Sequence, residues 1–204
     1  MNKIIAIVGM CGSGKSVACN LLEEKEFKKV YFGGVTLEKL KEEGLEDTPE
    51  NEKYMREKLR SELGMGAYAI LLLPKIKELA ETNNVVLDGL YSWDELKILK
   101  NEFGDEMTSI AIIVDRKLRY DRLKNRPIRP FNEKEAIKRD ISEIENIAKA
   151  GPIAYADYYI DNNKTIDDFK NRLEEILKEI ERTKEWINLP KKWLMIMLKS
   201  FLLA

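Results

Sequence analysis

Gly9-Met10-Cys11-Gly12-Ser13-Gly14-Lys15-Ser16 fits the spacing GxxxxGK[ST], a pattern suited to holding phosphates. Its glycines let consecutive backbone N–H groups turn inward around a polyphosphate, and the helix that follows adds the positive end of its dipole. The expected nucleotide contacts are Gly9, Cys11, Gly12, Ser13, Gly14, Lys15, Ser16 and, in the first helical turn, Val17. Lys15 would reach the β- and γ-phosphates and Ser16 a magnesium ion. Val85-Val86-Leu87-Asp88-Gly89 is the second strong pattern, a buried run ending in an acid. Asp88 would lie near Ser16 and orient a magnesium-bound water, while Gly89 lets the chain turn close to a substrate. The alternative for Asp88 is a cap on a helix starting at Asp94.

Arg119, Arg122, Arg126, Arg129 and Arg139 bring five guanidinium groups into 21 residues, the first two spaced to share one helix face. Forked donors closing over a migrating phosphoryl group would stabilise its spread charge and exclude water. Arg122 and Arg126 are expected at that group and Arg139 at the closing lid, although a solvated role stays open for each arginine singly. Asp161-Asn162-Asn163-Lys164 follows the last β-prone run, where a loop often borders a nucleotide base, so Asn162 joins the expected nucleotide contacts. The acid of a guanine-reading NKxD motif arrives one residue late, at Asp167, and guanine specificity is not implied.

There is no histidine, which excludes histidine triads and histidine metal sites and moves catalysis onto charge and positioning. Cys11 and Cys19 have neither metal-ligand spacing nor a disulfide framework. Beside a phosphate, Cys11 could be redox-sensitive or simply a tolerated small residue.

These residues need a scaffold, and 204 residues suffice for one α/β domain. A net charge of -1 offers no basic field for nucleic acid. The first apolar run is short and leads straight into the glycine loop, without the features of a cleaved leader, so a cytoplasmic location is expected. β-prone runs at Ile4–Val8, Lys29–Phe32, Asn84–Leu87, Ser109–Val114 and Asp157–Ile160 alternate with helical periodicity. That alternation implies an α/β fold with a five-stranded parallel sheet covered on both faces.

Val17, Leu21 and Leu22 are expected to share the apolar face of the first helix. Gly33–Ala80 is mostly helical, with helices over Glu50–Leu63 and Ala67–Leu79 and Pro74 starting or kinking a turn. Pro127 and Pro130 make Asn125–Phe131 a loop. The last stretch, from Trp186 to Ala204, is apolar, yet only 14 residues follow Pro190, short of the about 20 that cross a membrane. It is expected to form an amphipathic helix docking on the core or a partner, a second copy included, with membrane-surface contact as the alternative.

Through about Leu177 the chain resembles the P-loop kinases of small molecules, particularly the dephospho-CoA kinase and adenylate kinase branches and adenylate-kinase-related proteins. The matching pieces are GMCGSGKS, VVLDG, DRKLRYDRLKNR and ADYYIDN. The resemblance implies the P-loop nucleoside triphosphate hydrolase fold, with strand order 2-3-1-4-5. It implies a single domain over 1–184, with an acceptor-binding insertion at 33–80 and an arginine-rich lid at 117–139, followed by a tail at 185–204. Gly34, Arg60, Gly89 and Tyr91 then fall on the acceptor side. Two departures stand out: Phe32-Gly33-Gly34-Val35 lacks the acid these kinases place after the second strand, and Tyr91 stands where an arginine would clamp an acceptor phosphate.

The implied activity is ATP- and magnesium-dependent phosphoryl transfer to a nucleotide-like small molecule, dephospho-CoA or a nucleoside monophosphate. The alternative is an ATP-binding switch in which the arginine segment closes and the tail engages a partner.

Overall fold

The computed structural model describes residues 3–187, so the tail from residue 188 onward, with its expected docking helix, lies outside the described residues. The chain divides into two compact units, Met1–Thr165 and Ile166–Ala204.

The first unit is built on five parallel strands: β1 (Ile4–Val8), β2 (Lys28–Tyr31), β3 (Val85–Asp88), β4 (Met107–Ile113) and β5 (Tyr158–Asp161). Each falls on its expected run, with ends displaced by at most two residues. Their order is β2-β3-β1-β4-β5, the order implied by the kinase resemblance. All five residues of β1 are buried, as befits a central strand with cover on both faces. Because β1 lies between β3 and β4, the sheet's connections diverge at its carboxyl end, where ligands of open α/β sheets bind.

Helix α1 (Lys15–Glu23) follows the glycine loop and buries Ala18, Cys19 and Leu22, leaving Val17 40% exposed. The buried face is thus turned from the expected Val17/Leu21/Leu22 stripe. Two small residues, Ala18 and Cys19, let the helix lie close over β1 and β3. The insertion consists of α2 (Gly34–Glu42), α3 (Pro49–Leu63) and α4 (Ala67–Thr82). Thr48 caps α3 by accepting the Asn51 N–H at 3.2 Å, with Pro49 in the first helical position, where no donor is needed.

Helix α4 runs through Pro74 without a break, contrary to the expected start or turn. Pro74 and Ile70, whose carbonyl faces the proline ring, are both exposed, so the lost hydrogen bond falls on the solvent side. Leu72 and Ile76 of α4 join Ile4, Ala6, Val85 and Leu87 in the main core.

Four helices complete the unit: α5 (Trp93–Phe103), α6 (Arg116–Asn125), α7 (Glu133–Glu145) and the short α8 (Ala150–Ala154). The connection between α6 and α7 carries both prolines outside helix, as expected. In the second unit, α9 (Ile166–Ile187) has Asp167 and Asp168 in its first turn, where they complement the helix dipole. Among the described residues, no helix is long and apolar enough to cross a membrane.

Candidate functional site

The loop between β1 and α1 is tight enough that glycine is required at specific points. A Cβ on Gly9, at φ +150°, would lie 2.6 Å from Ser13 Oγ and 2.7 Å from the Ile112 carbonyl oxygen. At Gly14, φ +103°, it would lie 2.5 Å from Asn162 Nδ2. Lys15 Nζ folds over the loop and donates to the carbonyl oxygens of Gly9 (2.9 Å) and Met10 (3.0 Å). Enclosure by the loop, reinforced by the nearby Lys149 ammonium, lowers the Lys15 pKa from 10.5 to about 8.

Asn162, just beyond β5, donates from Nδ2 to the Ser13 carbonyl oxygen at 2.8 Å. Arg122 in turn donates to the Asn162 carbonyl oxygen at 2.8 Å, and its other terminal nitrogen is buried without a partner among the described residues. These contacts join the expected nucleotide contact Asn162 and the expected lid residue Arg122 to the glycine loop. Cys11 is held by its carbonyl, which accepts from Arg119 at 2.9 Å.

Ser16 and Val17 are exposed at the start of α1. One turn on from Ser16, Cys19 lies near the Asp88 carboxylate at the end of β3, and burial together with that carboxylate raises the thiol pKa; Ser16 and Cys19 stand three residues apart on α1. Burial raises Asp88 above the usual carboxylate range, while Lys15 and Lys29 oppose the shift. A hydroxyl and a carboxylate form a hard-oxygen donor pair of the kind magnesium takes alongside phosphate and water. Among the described residues, no group of three or more His, Cys, Asp or Glu side chains forms a separate metal cage. Asp88 does not cap the following helix. Ser92 does so: its Oγ accepts the Glu95 N–H at 3.0 Å, and Glu95 Oε2 accepts the N–H groups of Ser92 (2.9 Å) and Tyr91 (2.7 Å).

The expected acceptor residues are distributed around this edge. Gly89 turns at φ +95°, and the Tyr91 hydroxyl curls back to within 2.9 Å of where its Cβ would be. Burial drives the Tyr91 hydroxyl pKa well up, with the neighbouring Tyr31 and Asp88 adding to the shift. The Tyr31 ring lies over Gly33 and Gly34, filling space that a side chain would occupy. Arg60 stacks its guanidinium 5.2 Å from the Tyr68 ring centroid, and its Nε is buried without a partner among the described residues. Tyr68 and Thr36 share a hydrogen bond of 2.7 Å.

The five arginines do not converge on one point. Arg119 is buried against Asp140, at 3.0 and 2.6 Å. Arg126 donates to the Arg129 carbonyl oxygen at 2.5 Å and covers the Phe131 ring, while Arg129 reaches Glu52 on α3 at 3.0 Å. Arg139 pairs with Glu143 at 2.8 Å. Each guanidinium therefore has its own partner: Arg119 also reaches the glycine loop directly at the Cys11 carbonyl, Arg122 reaches it through Asn162, and Arg139 lies in the electrostatic surroundings of Tyr91.

Three polar residues that pattern reasoning passed over are buried here: Lys149, Glu143 and Glu95. Lys149 Nζ donates to Glu143 Oε2 at 2.7 Å and lies 5.0 Å from the Tyr91 ring centroid. Burial alone would raise Glu143, but the attraction of Lys149 and Arg139 outweighs it and holds the carboxyl below its usual range. Burial pushes Glu95 from 4.5 up to about 7. The available signal for Lys149 was a single charge within Ile147–Ala154, a run otherwise made of small and apolar residues.

An AAA domain family model matches residues 5–145. A UPF0200 protein from Sulfurisphaera tokodaii is 37% identical over 182 residues, covering 87% of this chain and 97% of that protein. Another from Pyrococcus horikoshii is 33% identical over 181 residues, with the same coverage. Among solved structures, shikimate kinase from Acinetobacter baumannii in complex with shikimate superposes with a TM-score of 0.56 at 18% identity, covering 90% of this chain and 96% of that one. A gluconokinase from Sinorhizobium meliloti gives 0.53 at 15% identity, covering 90% and 94%. At these identities the two kinases establish a shared fold alone, a five-stranded P-loop sheet flanked by helices. With its AAA-domain match and its UPF0200 relatives aligned along nearly their whole length, the chain belongs to the UPF0200 family of P-loop proteins.

Proposed function

We propose that the protein is an ATP- and magnesium-dependent phosphotransferase that moves the γ-phosphoryl group to a nucleotide-like small molecule, with dephospho-CoA and the nucleoside monophosphates as the first candidates. The observation that carries this reading is the environment of Lys15. Its ammonium lies in the electrostatic field of Asp88, from the end of β3, and of Glu143 and Lys149, from the lid side. That neighbourhood supports a reading in which the phosphate loop, an acid for the metal and the segment after the lid act on one ammonium.

In this reading Gly9, Cys11, Gly12, Ser13, Gly14 and Val17 cradle the triphosphate, Lys15 spans its β- and γ-phosphates, and Asn162 borders the nucleotide. Ser16 and Asp88 would hold the magnesium ion, which supplies charge neutralisation on the phosphates when bound. Arg122, Arg126 and Arg139 stabilise charge on the transferring group as the lid closes, and Gly34, Arg60, Gly89 and Tyr91 form the acceptor side. Phosphoryl transfer asks for positioning and electrostatics rather than covalent chemistry, which suits a chain without histidine.

The test is ATP consumption across dephospho-CoA and a panel of nucleoside monophosphates, with Lys15→Ala as the background. Stimulation by one acceptor in the native protein alone supports the proposal. No stimulation by any acceptor, with ATP binding intact, would favour the nucleotide switch instead.

A further inference from the structure

Lys149 is 2% exposed, an unusual burial for a lysine, which ordinarily keeps its ammonium in water. Burying an ammonium is costly unless it is paired, and its one hydrogen-bonded anion here, Glu143, is divided between two cations. Oε2 of Glu143 takes Lys149 at 2.7 Å and Oε1 takes Arg139 at 2.8 Å. The Lys15 ammonium stands close enough to Lys149 for the two charges to repel. Lys149 and Arg139 therefore share one ionised carboxylate, and Lys15 is near enough to add its charge to theirs. Two other acids face this group: Asp88, which acts on Lys15, and Glu95, which acts on Lys149 but has its carboxylate bonded to the backbone N–H groups of Tyr91 and Ser92.

The ammonium also lies 5.0 Å from the centroid of Tyr91, over the side chain that leads away from Gly89 toward the acceptor side. Besides burial, the Tyr91 hydroxyl feels Tyr31 and Asp88, with Arg139 opposing them and Glu143 adding to the shift. The aromatic face fixes Lys149 by cation–π attraction without neutralising it. A fixed ammonium with a shared counterion is a prepared seat for an anion, and a phosphate with its several acceptor oxygens can engage Lys149 and Arg139 together.

We infer that Lys149, with Arg139, holds a phosphate group of the acceptor above the Tyr91 ring, so that the acceptor is a phosphorylated molecule rather than a neutral sugar or alcohol. Glu143 is the internal counterion of this seat, keeping both cations in place and competing with the incoming phosphate. The inference rests on the proposed phosphotransferase reading for the word acceptor, but the site itself is a matter of binding.

The test is calorimetric titration of inorganic phosphate into the full chain with the donor site saturated by magnesium and a non-hydrolysable ATP analogue. The native protein should bind one phosphate. Lys149→Met should weaken that binding at least about tenfold while leaving affinity for the nucleotide analogue within about twofold, and Glu143→Gln should tighten phosphate binding about threefold or more. The opposite signs separate a binding role from a structural one, because a purely structural ion pair would be damaged alike by either change. If Lys149→Met fails to fold, Glu143→Gln carries the test alone. No phosphate binding by the native protein, unchanged binding in Lys149→Met, or unchanged or weaker binding in Glu143→Gln would each overturn the inference. Because turnover is not read, failure to find an acceptor in the kinase assay leaves this result standing on its own.

Discussion

Arg119 on α6 grips Asp140 on α7 through two N–H···O contacts of 3.0 and 2.6 Å, with both side chains buried. The same guanidinium donates to the Cys11 carbonyl oxygen, so one arginine ties α6 and α7 to each other and to the glycine loop. Arg119→Met strands a buried carboxylate, and breaking such a pair costs about 3–5 kcal/mol. Urea unfolding should register that loss, and Arg119→Met/Asp140→Leu should recover most of it because neither charge is then left alone. A double variant as unstable as the single one would mean that the arginine acts through its packing.

Asn162 provides the second brace, through its 2.8 Å bond to the Ser13 carbonyl oxygen. Asn162→Ala removes that bond and leaves the backbone bond from Arg122 in place. One such hydrogen bond is worth about 1 kcal/mol net, so urea unfolding should show about that loss, and a loop no longer tied at Ser13 should bind magnesium–ATP about fivefold more weakly. Calorimetric titration decides this. An unchanged affinity would remove Asn162 from the nucleotide site.

The Lys15 pKa, held at about 8 by enclosure and by Lys149, gives nucleotide binding a defined pH dependence. A bound triphosphate favours the ammonium, so above about pH 8 binding must take up a proton, about three-quarters of one at about pH 8.5. Titrations in two buffers of different ionisation enthalpy measure that uptake directly, and affinity should decline as pH climbs further. The ligand-free protein responds in the opposite sense. Its lysine is depressed below the unfolded value of 10.5, the unfolded chain binds the extra proton between the two values, and stability contributed by this group rises with pH across that window.

Much of the fold around the glycine loop was legible because its determinants are local. The loop spacing, the β-prone run ending in Asp88 and the alternation of strand and helix are each written within a few consecutive residues, and the strands follow them closely. The arginines were legible as a composition but not as a constellation, since their partners Asp140, Glu52 and Glu143 lie on other helices or at other turns. Lys149 and Glu95 escaped for a different reason. Periodicity assigns charged residues to the solvent side, and only the tertiary meeting of α7, α5 and the turn after Gly89 buries these two. Val17 erred the other way: its side chain suits a core face, but the smaller Ala18 and Cys19 fit the close approach of α1 to the sheet.

Glu95 supplies the most direct check on the buried polar layer behind the turn at Gly89 and Tyr91. Burial raises its pKa from 4.5 to about 7, so between those values the folded protein holds a proton that the unfolded chain has released. The stability contributed by this group is therefore full below the unfolded pKa and lost as pH rises through about 7. Glu143, held below the ordinary carboxylate range, titrates outside that window and does not mask the effect. Glu95→Gln keeps an oxygen able to accept from the Tyr91 and Ser92 N–H groups while removing the charge. Urea midpoints measured from about pH 5 to about pH 8 should show the variant gaining on the native protein up to about pH 7 and holding that gain above it. Parallel curves would mean that Glu95 stays ionised throughout, compensated by Arg60 and Lys149, and that the layer between α3 and α5 is an ion network rather than a proton-holding one.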